Sequence, residues 1–204
     1  SQTITFSALS AKTFGDAPFN LTATASSGLA VSYVSSNTAV ATVSGSTLTI
    51  VGAGTTTITA SQAGNANYNA ATNVPQTLTV NKANQTITFN SLPAKTVGDA
   101  PFNLSATASS GLAVGYTSSN TVVATVSGST VTIVGPGSTT ITASQIGNAN
   151  FNTAADVQQT LTVNQSSAKL DQTITFPTIP NKQVGGQPFS LNATASSTLP
   201  VSYS

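Results

Sequence analysis

Thr47-Leu48-Thr49-Ile50-Val51 runs into Gly52-Ala53-Gly54 and on through Thr55-Thr56-Thr57-Ile58-Thr59-Ala60-Ser61. Apolar and hydroxyl side chains alternate on both sides of a glycine-rich break. A period of two puts successive side chains on opposite faces of a strand. Threonine is β-branched and favours the extended backbone. The stretch predicts two half-buried strands, Thr47–Val51 and Thr56–Ser61, with a tight turn between them. Leu48, Ile50, Ile58 and Ala60 face inward; Thr47, Thr49, Thr57 and Thr59 face water.

The same alternation marks Thr3–Phe6, Phe19–Ala25, Ala30–Ser35, Ala39–Val43 and Thr77–Val80. Gly15, Gly28, Gly45 and Gly64 punctuate the intervals. No amphipathic helical period occurs. Seven short strands in about 80 residues predict an antiparallel β-sandwich. Ile4, Phe6, Phe19, Leu21, Ala23, Val31, Tyr33, Leu78 and Val80 complete the inward set. Thr3, Thr5, Thr22, Thr24, Thr77 and Thr79 complete the outward one.

Internal repetition sets the domain organisation. Gln2–Phe6 reads QTITF, and the same five residues return at Gln85–Phe89 and Gln172–Phe176, 83 and then 87 residues on. Aligned over that first spacing, roughly three positions in four are identical, so the strand pattern holds for both copies. A unit of this length is too long for a solenoid repeat and suits a small domain with its own core. The chain divides into repeat 1 (1–84), repeat 2 with a longer connection after it (85–171), and the opening of repeat 3 (172–204). Tyr116, Phe102 and Ile141 are the core counterparts of Tyr33, Phe19 and Ile58. The first junction, Val80-Asn81-Lys82-Ala83-Asn84, is short and predicts a semi-rigid rod. The second, Asn164–Asp171, is four residues longer and predicts a different rotation. Repeat 3 reaches Ser204 with half of a sandwich, so either the array continues or strands of another molecule complete it.

Composition excludes most chemistry. Of 204 residues only nine are charged, five Lys and four Asp; His, Arg, Glu, Cys, Met and Trp are absent. Ser and Thr come close to a third of the chain, where an ordinary domain carries far more charge. There is no imidazole base and no thiolate for catalysis or zinc. A net charge of +1 gives no field for nucleic acid. No stretch is apolar enough to span a membrane as a helix. Apolar content of 39% separates the chain from disordered sequences. It opens on a strand-like segment with no secretory leader.

Several motifs carry a family likeness. They are Lys12–Phe19 (KTFGDAPF), Ser35–Val43 (SSNTAVATV), Gly52–Ala60 (GAGTTTITA) and Gly64–Asn69 (GNANYN). Repeat 2 carries them again at Lys95–Phe102, Ser118–Val126, Gly135–Ala143 and Gly147–Asn152. Together they resemble the bacterial immunoglobulin-like domain of invasin- and intimin-type adhesins, in a variant found in very long surface proteins of environmental and gliding bacteria. The resemblance covers nearly the whole chain. It implies tandem immunoglobulin-like sandwiches, location outside the cell or on the bacterial surface, and export by a signal outside this segment. Many members carry Trp two residues before the Ser-Ser-Asn; Tyr33, Tyr116 and Tyr203 stand there instead, and each hydroxyl needs a partner.

Candidate sites are few. Gly52-Ala53-Gly54 and Gly135-Pro136-Gly137 lack the Lys and the helix of a phosphate cradle and read as turns. Asp16 and Asp99, in matching Gly-Asp-Ala-Pro-Phe segments, are too few for calcium and read as turn residues bonded to their own loops or to a nearby Lys. Asn20, Asn84, Asn103, Asn164 and Asn192 open glycosylation sequons that so Asn- and Thr-rich a chain produces by chance. Tyr68 and Phe151, each inside Gly-Asn-Ala-Asn-(Tyr/Phe)-Asn, are the candidate contact surface, and the Tyr-to-Phe exchange makes the ring matter more than the hydroxyl. No catalytic residue, cofactor or metal ligand is expected. The expected role is a structural stalk or filament segment of an adhesin. Two alternatives stand beside it: a binding module whose repeats contact glycan, surfaces or each other, and a spacer of a secreted enzyme. Expected partners are neighbouring repeats of the same or another chain and a glycan or cell-surface ligand.

Overall fold

The computed structural model describes residues 1–166 and 171–204. The described chain forms two compact units, Ser1–Gln165 and Ser166–Ser204. The first unit holds repeats 1 and 2. No helix occurs among the described residues; every regular element is a strand.

Repeat 1 has nine strands: β1 (Ile4–Thr5), β2 (Lys12–Thr13), β3 (Phe19–Asn20), β4 (Thr24–Ala25), β5 (Ser32–Ser35), β6 (Ala41–Ser44), β7 (Thr47–Ile50), β8 (Gly54–Ser61) and β9 (Val74–Asn81). One sheet runs β2-β9-β8-β5, a second β3-β7-β6, and β1 pairs with β4. Residues of both sheets meet in one core containing Ile4, Phe6, Leu21, Leu48, Ile58 and Leu78. This is the β-sandwich that the alternation predicts. Leu48, Ile58 and Leu78 are fully buried because the pleat turns them inward from both layers.

Three details depart from the strand reading. Phe19–Ala25 is not one strand: Phe19 pairs with Leu48 of β7, whereas Thr24 and Ala25 pair with β1. The segment crosses between ladders. Lys12–Thr13, outside the strands that the alternation marks, forms a short parallel pair with Val80 and Asn81 of β9 in an otherwise antiparallel domain. β9 begins at Val74, three residues before the reading placed it, with Pro75 inside. Proline is tolerated there because β2 pairs only with the far end of β9.

Tyr33 shows how the crossing is held. Its hydroxyl accepts a hydrogen bond from Ala23 N at 2.8 Å. Ala23 lies between β3 and β4, where the backbone leaves one ladder before joining the next. Its N–H would otherwise be lost to the sheet. The ring meets Phe6 edge-on at 5.7 Å. Tyr33 and Phe19 are half-buried and pack against the core rather than filling its centre. Lys12 Nζ lies 4.6 Å above the Phe19 ring, a cation–π contact that takes the Lys away from Asp16. Asp16 Oδ2 instead accepts from Thr13 N at 2.9 Å and closes its own turn.

The Ser-Ser-Asn motif is organised by one buried hydroxyl. Thr56 is 4% exposed, unlike the threonines beside it. Its Oγ1 accepts from Asn37 N at 3.0 Å and lies 2.8 Å from Ser35 Oγ. Ser36 Oγ accepts from Thr57 N at 3.0 Å. Thr56→Val keeps the shape but strands the Asn37 N–H, so repeat 1 should lose about 1–2 kcal/mol. Unchanged hydrogen exchange at the slowest amides of β8 and β9 would contradict the assignment.

Repeat 2 repeats the plan strand for strand: β10 (Ile87–Thr88), β11 (Lys95–Thr96), β12 (Phe102–Asn103), β13 (Thr107–Ala108), β14 (Gly115–Ser118), β15 (Ala124–Ser127), β16 (Thr130–Ile133), β17 (Gly137–Ser144) and β18 (Val157–Asn164). Ile141 is fully buried, Tyr116 and Phe102 are half-buried, and Tyr116 receives Ala106 N at 2.8 Å.

In the second unit β19 (Ile174–Thr175) pairs with β20 (Thr194–Ala195). Tyr203 again accepts from the backbone, here Ala193 N at 2.7 Å. Ile174, Phe176, Phe189 and Leu199 stay exposed, as the inner face of one uncovered layer must. Residues 167–170 of the longer second junction lie outside the described residues.

Candidate functional site

The Gly147–Asn152 loop of repeat 2 is built before it touches anything else. Gly147 has φ +78°, and a Cβ there would come within 2.3 Å of Phe151 O. Only glycine fits so close an approach. Asn148 Oδ1 accepts from Asn150 N at 2.8 Å and from Phe151 N at 3.0 Å, so one side chain holds the turn. Gln85, the buried first residue of QTITF, donates from Nε2 to Asn152 O at 2.7 Å. Gln145 Oε1 accepts from Gly147 N. The start of the domain and its last long loop are thereby tied together.

This loop is seated on repeat 1. The Phe151 ring meets Phe14 edge-on, with centroids 5.4 Å apart and planes at 84°. Asn150 Oδ1 accepts from Ala53 N at 2.9 Å, in the glycine-rich turn. Gly52 beside it is buried, with no room for a Cβ against Ala39 O. The connecting segment adds a rung: Ala83 N donates to Asn150 O at 2.9 Å and Asn152 N to Ala83 O at 2.8 Å. Lys82 Nζ donates to Asn148 O at 2.8 Å. Asn152 Nδ2 donates to Asn84 Oδ1 at 2.8 Å.

The seam is therefore an aromatic pair surrounded by amide and backbone hydrogen bonds. Apart from Lys82 it uses neutral groups, whose attraction salt screens little. Its parts hold and orient two domains; they include no nucleophile–base pair. Among the described residues no three carboxylates gather as a metal site. No helix among them is long and apolar enough to cross a membrane.

Of the two expected contact residues, the structure brings Phe151 into the seam and leaves Tyr68 39% exposed. Phe14, Ala53 and Asn150 escaped the sequence reading. A signal existed: Phe14 and Ala53 are replaced by Val97 and Pro136 at the matching positions of repeat 2, inside motifs that are otherwise closely kept.

Residues 19–64 match the family model of the intimin immunoglobulin-like domain. No curated protein matches the chain. Among solved structures, surface layer protein SbsC domains 1–6 is similar at 19% identity and TM-score 0.35, over 86% of this chain. Mouse cadherin-23 EC22–24 is similar at 13% identity and TM-score 0.33, over 81% of this chain and 65% of its own. Sidekick-1 immunoglobulin domains 1–5 is similar at 10% and 0.34, over 87% of this chain and 40% of its own. The chain spans only 29% of the SbsC structure. Repeat 1 is thus similar to the intimin immunoglobulin-like domain over residues 19–64, and repeat 2 is its near-copy in sequence.

Proposed function

We propose that this chain is a non-catalytic stalk segment of a bacterial surface or secreted adhesin, giving reach and mechanical continuity. The observation that carries the reading is the seam. Phe151, Asn150 and the 82–84 rung fix repeat 2 on repeat 1 through side chains and backbone together. A mere tether needs none of these contacts. The match to the intimin domain supports a place on the cell surface.

The test is a distance distribution across the seam. The chain has no cysteine, so Thr42→Cys and Thr125→Cys give one labelled pair at matching exposed sites. Pulsed spin-label spectroscopy should show one narrow distance. The double substitution Asn150→Ala, Phe151→Ala should broaden it. A broad distribution in the parent chain would remove the stalk reading.

A second reading is favoured by one residue. Tyr68 stands exposed among Asn65, Asn67 and Asn69, an aromatic face beside amides suited to stacking on a sugar ring. On that reading the repeats themselves bind glycan, surfaces or each other.

A further inference from the structure

Tyr68 belongs to a loop that exists twice in the first unit, once seated and once bare. The two copies share an internal scaffold. Asn65 Oδ1 accepts from Asn67 N at 2.8 Å and Tyr68 N at 3.0 Å, as Asn148 does for Asn150 and Phe151. Gln2 Nε2 donates to Asn69 O at 2.8 Å, as Gln85 does to Asn152 O at 2.7 Å. Gly64 has φ +80° and Gly147 φ +78°. The loop thus takes the docked shape whether or not anything sits on it, and docking costs little ordering. The exposure differs: Asn67 and Tyr68 are exposed, whereas Asn150 and Phe151 are partly covered.

The surface that receives the loop is not the same on both repeats. Repeat 1 offers the Phe14 ring, the Ala53 N–H and the segment Lys82-Ala83-Asn84. Repeat 2 has Val97 and Pro136 at the sequence positions that match Phe14 and Ala53. Valine gives no ring edge, and proline has no N–H to donate. The rest of the two repeats is largely alike, so these replacements fall on the parts that make the seam.

From this matching we propose that the Gly64–Asn69 loop of repeat 1 is a docking face for the trailing end of a tandem immunoglobulin-like module of the repeat 1 type, joined ahead of it. The occupant needs an aromatic at the Phe14 position and a free N–H at the Ala53 position. The tether is part of the recognition, because the rung from residues 82–84 continues directly into the domain it holds. The proposal deepens the stalk reading and rests on the same seam. It adds a rule for which module can precede which.

The test joins an extra copy of residues 1–84 directly ahead of Gln2 in the full chain. The added copy carries Tyr68→Phe, the exchange repeat 2 itself shows, so that only one Tyr68 reports. The probe is tetranitromethane, with nitration mapped by peptide mass. Tyr68 should react at least about fivefold more slowly in the extended chain than in the 204-residue chain, because a tether holds its partner at high local concentration. Phe14→Val with Ala53→Pro in the added copy should restore the rate. Slow nitration of Tyr33 and Tyr116 throughout shows that the domains are folded. An unchanged Tyr68 rate with Tyr33 still protected overturns the proposal. So does equal protection by the Phe14→Val, Ala53→Pro copy, which would make the trailing end irrelevant. Protection of Tyr68 in the 204-residue chain that grows with protein concentration would seat a separate copy there and overturn tandem docking. The spin-label distance between residues 42 and 125 reads the stalk independently, so the two ideas fail separately.

Discussion

Gly147→Ala should destabilise repeat 2 by about 3 kcal/mol, where Gly128→Ala costs about 1. Both glycines have positive φ, +78° and +58°. The difference is space. A Cβ at Gly128 meets nothing within 4 Å, whereas one at Gly147 meets Phe151 O at 2.3 Å and Asn152 C at 2.8 Å. Those atoms are backbone and have no rotamer to yield. The loop must open, and Asn148 then loses its two N–H partners. Hydrogen exchange at the slowest amides of β17 and β18 reads repeat 2 by itself, which a whole-chain melt does not. The same substitution should broaden the 42–125 distance, since the opened loop carries Phe151 away from Phe14. Equal costs at Gly128 and Gly147 would show that the close approach is not real.

Tyr33→Ala should destabilise repeat 1 by about 3 kcal/mol, at the low end for an aromatic truncation because the ring is half-buried. Two losses combine. The ring leaves Phe6, and the hydroxyl leaves Ala23 N at the crossing between ladders. Tyr33→Phe separates them and should cost about 1 kcal/mol, one hydrogen bond. The slowest amides of β8 and β9 report both. If Tyr33→Phe were silent, water would be serving Ala23 N, and the tyrosine would be only a space-filler.

Much of the candidate site was legible, but not which half of it. The two aromatics stood out because each sits alone among asparagines and glycines. Their sequence context is nearly the same, so the sequence ranks them equally. The structure separates them because Phe151 has Phe14 within ring contact. Phe14 itself reads as an ordinary loop residue near Gly15 and Asp16. Its meaning comes from a partner far away in the chain, and a local pattern has no access to that.

By itself the sequence determined the β class, the two domain copies, the alternating inward residues and the absence of His and Cys chemistry. Each follows from local period or from counting, and neither depends on partners. The tertiary structure alone decided that Phe19–Ala25 crosses between ladders, that Lys12–Thr13 joins β9 in parallel, and that Thr56 turns a hydroxyl inward. It alone decided that Phe151 is seated while Tyr68 is bare. Each of these depends on which distant backbone or ring arrives opposite a residue, and pairing between distant segments is set by the packed sheets rather than by neighbours in the chain.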